Sequence, residues 1–142
     1  MTPFQPLHAT TVALRGQGSW RGVLLTGPSG AGKSDLALRL MQGGARLVAD
    51  DYSCVFMSGG FAYATAPATI AGRIEVRGVG IVSTQNRPLV RLALVLELTT
   101  DPVERLPKAE TRLIAGVALP VFQLDGREVS ATEKITVLTQ RL

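Results

Sequence analysis

Gly27, Pro28, Ser29, Gly30, Ala31, Gly32, Lys33 and Ser34 fit G-x-x-x-x-G-K-[ST], the spacing of a phosphate-binding loop. The chemistry requires these residue types. Glycines let the backbone curl until successive N–H groups face one anion, Lys33 brings a positive charge to the β- and γ-phosphates, and the Ser34 hydroxyl is a ligand for Mg²⁺. The plain alternative is a Gly-rich turn that only joins a strand to a helix. Two glycines at fixed spacing before Lys and a hydroxyl residue should arise by chance in only about one chain in a few hundred of this length.

The elements that must position this loop are legible around it. Val23, Leu24 and Leu25 form an apolar strand before it, and residues 34–42 read as a helix with Leu36, Ala37 and Leu40 on one face. Gly43 and Gly44 supply the C-cap and turn. Residues 46–50 then climb as a second strand. About ten helical residues at ~1.5 Å each descend nearly as far as five extended residues at ~3.3 Å each climb, so a parallel strand beside the first ends level with the phosphates. Asp50 and Asp51 are therefore expected beside a Mg–nucleotide complex. Pointing to opposite sides of a strand, one would orient metal-bound water while the other serves as a base.

A length of 142 residues suits one domain with a single core, over residues 1–142, and a hydrophobic fraction of 46% with few aromatics describes an α/β protein. No apolar run approaches the ~20 residues of a membrane span, and the first residues show no leader pattern, so a cytoplasmic location is expected. Cys54 is alone, which rules out an internal disulfide framework and reads as a buried strand residue. The net charge of +4 comes from scattered arginines without a Lys/Arg block, which argues against a nucleic-acid surface.

In chain order, residues 7–14 and 20–26 flank Gly16-Gln17-Gly18-Ser19 as a β-hairpin. Symmetric pairing about that turn makes paired numbers sum to about 35, which sets the single histidine, His8, opposite Gly27. Residues 52–57 and 61–65 around Ser58-Gly59-Gly60 form a second hairpin. In residues 70–83, Glu75 and Arg77 share one face of a short strand ending at Gly78 and Gly80, which by spacing alone is an edge strand with a solvated face. Residues 89–98 are a buried central strand, 99–108 a loop carrying Arg105, and 112–124 one or two further strands. Ser130 to Glu133 is a capping box that opens a helix running to Leu142.

With these residues in view the chain resembles the catalytic domain of the HPr kinase/phosphorylase family, bacterial enzymes that phosphorylate a serine of the phosphocarrier protein HPr. The resemblance spans roughly residues 8–123 and is carried by LLTGPSGAGKSDLALRLMQGGARLVADD and by IEVRGVGIV, similar to the family signature after the aspartates. It implies a P-loop kinase fold of α/β class, a mixed and mostly β sheet with few helices, that uses ATP and Mg²⁺. By position, Asp51 resembles the proton acceptor, Lys33 and residues 27–34 the ATP loop, and Ser34 with Glu75 the Mg²⁺ ligands. His8 is similar to the family's upstream histidine and Arg105, in VERLP, to its catalytic arginine. Asp50 and Arg77 become site candidates beside them.

Two departures from the family pattern are visible. An N-terminal domain carried by longer members is lacking, so the chain resembles a truncated form. The basic segment tied to phosphorolysis is replaced by Leu124-Asp125-Gly126-Arg127-Glu128, so reverse phosphorylase activity is expected to be weak or absent. The expected function is an ATP-dependent serine kinase acting on an HPr-like phosphocarrier of a phosphotransferase system, possible as a homo-oligomer. The competing readings are a small-molecule kinase, against which the lack of an inserted helical lid counts, and a non-catalytic ATP-sensing module, which needs the loop but no base.

Overall fold

A computed structural model describes residues 5–142; residues 1–4 lie outside the described residues. The elements are β1 (Gln5–His8), β2 (Thr10–Gly16), β3 (Ser19–Thr26), α1 (Lys33–Gln42), β4 (Arg46–Ala49), β5 (Tyr52–Ser58), β6 (Phe61–Thr65), β7 (Arg73–Val76), β8 (Gly80–Ser83), β9 (Leu89–Leu98), β10 (Glu110–Ile114), β11 (Val117–Leu124) and α2 (Ala131–Gln140). Among the described residues the main sheet runs β1-β5-β6-β9-β3-β2-β4, with β11 also on β9 and β10 beyond it. This is the mixed, mostly β architecture with two helices that the sequence predicts.

β9 is the trunk of the sheet, as its near-continuous apolar run requires. One edge pairs in parallel with β3, from Val23↔Leu94 to Thr26↔Glu97. The other edge is shared between β6 at its start (Tyr63↔Arg91) and β11 in its second half (Val121↔Val95). A register shift between Gly22↔Leu92 and Val23↔Leu94 inserts Ala93 as an extra residue. Because side chains alternate, one inserted residue reverses the phase: Leu92 faces one hydrophobic cluster while Leu94 and Leu96 face the other. Gly22 permits this close approach, since a Cβ there would lie 2.7 Å from Val90 Cγ1.

The two clusters lie on the two faces of the sheet. Val23, Leu25, Leu94 and Leu96 pack against Leu36, Ala37 and Leu40 of α1 and Ile135 of α2. Leu24 and Val95 face Val55, Ala62, Ala64 and Leu119 instead. Leu94 and Leu96 are fully buried, so truncating either to Ala should cost ~2–5 kcal/mol. Arg39 of α1 donates to the Gly126 and Glu128 carbonyls of the segment before α2, and Arg21 donates to the Thr139 carbonyl, tying α2 to the sheet.

Several expectations need correction. β4 does not lie beside the phosphate-loop strand, because β2 stands between them, antiparallel to both. Gln17 (φ 45°) and Gly18 (φ 83°) close a tight hairpin that commits one edge of β3 to β2, β9 takes the other, and β4 can only add outside. Two antiparallel steps restore the direction, so β4 still runs parallel to β3 and ends beside the loop. The hairpin register does follow the sum of 35, as in Thr10↔Leu25, but pairing stops at Thr10. His8 is thus not opposite Gly27; it belongs to β1 and pairs with Tyr52 of β5.

Further along, β7 and β8 form a separate two-stranded hairpin. Arg77 falls in its turn, so it does not share a strand face with Glu75. Cys54 lies on β5 as expected but is only partly buried. Ser130 sits at the N-cap of α2 without a side-chain cap bond, so no capping box forms, and the helix ends at Gln140. Glu133 accepts from Thr132 instead, the nearer hydroxyl. Among the described residues no helix is long and apolar enough to cross a membrane.

Candidate active site

The phosphate-type loop leaves the C-terminal end of β3 and enters α1. Gly27 has φ 142°, and a Cβ there would meet the Leu98 carbonyl at 3.1 Å and Ala31 Cβ at 3.3 Å, so only glycine fits between the loop and β9. Gly30 (φ 84°) and Gly32 (φ 92°) are left-handed with open space where a Cβ would stand. Alternating backbone handedness of this kind turns successive N–H groups toward one concavity, which suits an anion. The buried Lys33 donates from Nζ to the Gly27 carbonyl at 2.7 Å and the Pro28 carbonyl at 3.0 Å. Burial pushes its ammonium below the ordinary value of 10.5, while the carboxylates of Asp51 and Asp50 pull the other way.

The adjacent aspartates are sorted into different environments. Asp50 is buried, and its Oδ1 accepts from Ser34 Oγ at 2.5 Å and Thr10 Oγ1 at 3.1 Å, while Oδ2 accepts the Glu75 N–H at 3.0 Å. Asp51 has a side chain 62% exposed, with Oδ1 3.0 Å from Nε2 of His8. They do point apart, but not as neighbours on a strand. β4 stops at Ala49 and β5 starts at Tyr52, and Asp51 adopts φ 68° while the Tyr52 N–H donates to the Asp50 carbonyl at 2.7 Å. That is a γ-turn with a positive central φ, a rare and strained conformation.

The remaining predicted residues divide. Glu75 is joined to the cluster through its backbone, while its carboxylate is exposed on β7. Arg77 is exposed in the β7–β8 turn. Arg105 is exposed in the loop after β9 and is not among the residues lining the loop-side pocket. That pocket, of about 580 Å³, is walled by Gly27 to Ala31 on one side and by Glu97, Thr99, Asp101, Arg112 and Asp125 on the other. Arg112, ion-paired with Glu97, is therefore the arginine that faces the loop. It went unseen because its position depends on the β10–β11 hairpin folding back along β9. Thr10 was missed as well; a lone threonine on a strand carries no local signal.

The residues fit the groups the sequence implies. The open left-handed glycines and Lys33 suit nucleotide phosphates. The Ser34 hydroxyl and Asp50 carboxylate form a hard-oxygen pair suited to Mg²⁺. Among the described residues no trio of His, Cys, Asp or Glu gathers into a metal cage. Phosphoryl-transfer sites ordinarily complete the shell of Mg²⁺ with phosphate oxygens and water.

Comparison with known proteins bears on this site. Residues 1–138 match the family model described as the HPr Serine kinase C-terminal domain. The HPr kinase/phosphorylase of Lactobacillus acidophilus is 33% identical over 151 residues, covering 95% of this chain and 46% of that protein. That of Burkholderia lata is 32% identical over 151 residues, covering 99% and 45%. The chain thus spans about half the length of the curated relatives it matches. The structure of the Hpr(Ser) kinase/phosphatase from Coxiella burnetii superposes with a TM-score of 0.82 at 24% identity, over 96% of this chain and 95% of that one, which shows a shared fold.

Proposed function

We propose that this chain, which belongs to the HPr serine kinase C-terminal domain family, is an ATP-dependent protein serine kinase whose acceptor is an HPr-like phosphocarrier. The observation that carries this reading is the sorting of the two aspartates. Asp50 is buried and accepts from Ser34, Thr10 and the Glu75 N–H, whereas Asp51 is exposed at the mouth of the site and held by one histidine contact. A nucleotide sensor needs the first arrangement only. An exposed carboxylate locked in a strained turn next to a phosphate loop is what proton removal from an acceptor hydroxyl needs.

In this mechanism the loop amides and Lys33 hold the β- and γ-phosphates, and His8 orients the Asp51 carboxylate. The acceptor serine oxygen attacks the γ-phosphorus as Asp51 takes the hydroxyl proton. The bond from γ-phosphorus to the β–γ bridging oxygen breaks, ADP leaves, and the proton remains on Asp51 until it passes to solvent. Ser34 and Asp50, with Glu75 beside them, would hold Mg²⁺, which when bound neutralises charge on the phosphates. Arg105, by its family position, would act on the developing phosphoryl charge.

The same geometry favours the forward direction. Arg127 donates from Nε and an Nη to Asp125, whose carboxyl is held down to about 2 chiefly by that side-chain pairing, so an anion stands on the pocket wall at neutral pH. Inorganic phosphate would find the Arg127 guanidinium already engaged by Asp125. The test is incubation of the full chain with labelled Mg·ATP and a bacterial HPr, scored for phosphoserine. Transfer is expected, with weak or no phosphate-dependent reversal. ATP binding with no transfer to any HPr would overturn the kinase reading in favour of a sensor.

A further inference from the structure

We propose that Thr10 is a positioning residue that couples the phosphate side of the site to the candidate base, an inference that rests on the kinase reading for its consequence in turnover but not for its geometry. Thr10 is the first residue of β2 and fully buried. Its Oγ1 donates to Asp50 Oδ1 at 3.1 Å and accepts the Asp51 N–H at 3.1 Å. A hydroxyl has one hydrogen to give and lone pairs to accept, so one atom satisfies both neighbours at once. Asp50 Oδ1 also takes the Ser34 hydroxyl. Ser34, Asp50, Thr10 and the Asp51 backbone therefore form one continuous line from the phosphate loop to the γ-turn.

That line has a specific task. A left-handed non-glycine residue inside a γ-turn persists only where its surroundings over-determine it. The Tyr52 N–H closes the turn from within, and Thr10 holds its central amide from outside. His8, two residues before Thr10, holds the carboxylate. The neighbouring hydroxyl pair is a natural contrast: Thr11 bonds Ser53 at 2.7 Å, and Ser53 donates to the Ala9 carbonyl at 2.9 Å. Those bonds join β2 to β5 and end on the main chain without reaching the site.

The experiment uses the full chain with Thr10→Val, nearly isosteric but without the hydroxyl, Thr10→Ser, which restores it, and Thr11→Val as the control. The first readout needs no substrate: amide exchange at Asp51 and the NMR signal of the single imidazole, His8. Thr10→Val is expected to speed exchange at Asp51 and move the imidazole signal toward its position in Asp51→Asn, while Thr10→Ser and Thr11→Val keep the wild-type pattern. The second readout is transfer from Mg·ATP to HPr. A base displaced by about 1 Å can lose roughly 10²-fold, so kcat should fall at least tenfold in Thr10→Val with ATP affinity within about threefold, and recover in Thr10→Ser. Should Thr10→Val not fold, Thr10→Cys, a weaker donor and acceptor, is expected to give an intermediate shift in the same signals. Unchanged Asp51 exchange and His8 signal in a folded Thr10→Val or Thr10→Cys would overturn the inference. If the signals move as expected while wild type transfers nothing to HPr, the positioning role stands and the kinase reading fails.

Discussion

His8 Nε2 lies 3.0 Å from Asp51 Oδ1, although 43 positions separate the two residues in the chain. The contact exists because β1 pairs with β5, setting His8 across from Tyr52, the residue after Asp51, with the two rings 5.3 Å apart. A histidine here can orient a carboxylate, so under the proposed kinase reading this pair serves transfer and the phosphate loop serves binding.

Asp51→Asn tests that division. Asparagine tolerates the left-handed backbone, so stability should change by less than ~0.5 kcal/mol. Nucleotide affinity should stay near wild type while phosphoserine formation falls ~10²-fold or more. Titration and mass spectrometry on one preparation measure both; transfer at the wild-type rate would remove Asp51 as the base.

Asp50→Ala should behave in the opposite way. Two hydroxyls and one N–H lose their acceptor in a buried setting, which should cost ~2–4 kcal/mol in urea denaturation. A loss below ~1 kcal/mol would mean that water replaces the carboxylate and that the cluster is not closed.

Arg112 and Arg105 should separate in their effects. Arg112→Ala leaves Glu97 on the pocket wall with only the Gln123 amide at 3.5 Å and should weaken ATP binding about tenfold, ~1.4 kcal/mol. Arg105→Ala should leave binding unchanged and lower turnover if the family role carries over. Wild-type ATP affinity in Arg112→Ala would show that Arg112 does not face the nucleotide.

The lowered Lys33 value has a definite sign. Below it the ammonium is charged, so ATP affinity should fall as pH rises through a value under 10.5, and Lys33→Arg, charged throughout, should flatten that limb. Stability moves the other way: between the folded value and 10.5 the unfolded chain binds more protons, so the Lys33 contribution favours folding as pH rises. Isothermal titration over an alkaline series reads the first effect, and a pH-independent affinity would refute it.

Glu75→Gln should raise the Mg²⁺ concentration needed for half-maximal transfer with little change in denaturation midpoint, since its side chain is exposed on β7. Equal losses of activity and stability would identify Glu75 as a structural residue of the β7–β8 hairpin.

The amino-acid sequence alone determined the features that depend on neighbours along the chain. Left-handed glycines, the apolar faces of α1, the hairpin at Ser58-Gly59-Gly60 and the buried run of β9 follow from periodicity and backbone freedom within a few residues. The phosphate-loop spacing suggested roles for Lys33 and Ser34, and the family resemblance suggested one for Asp51, because these residues sit in one contiguous stretch.

Strand order belonged to the tertiary structure. β4 is displaced from β3 because the Gln17-Gly18 turn pairs one edge of β3 with β2 and β9 takes the other, leaving β4 to add outside β2. His8 left its expected place opposite Gly27 because β1 found β5, a partner more than forty residues away. The different environments of Asp50 and Asp51 arise from a γ-turn pinned by Thr10, and the approach of Arg112 to the loop from β11 pairing with β9. Each of these is a long-range contact selected by competition among sheet edges and buried polar groups, and no local spacing of residue types encodes it.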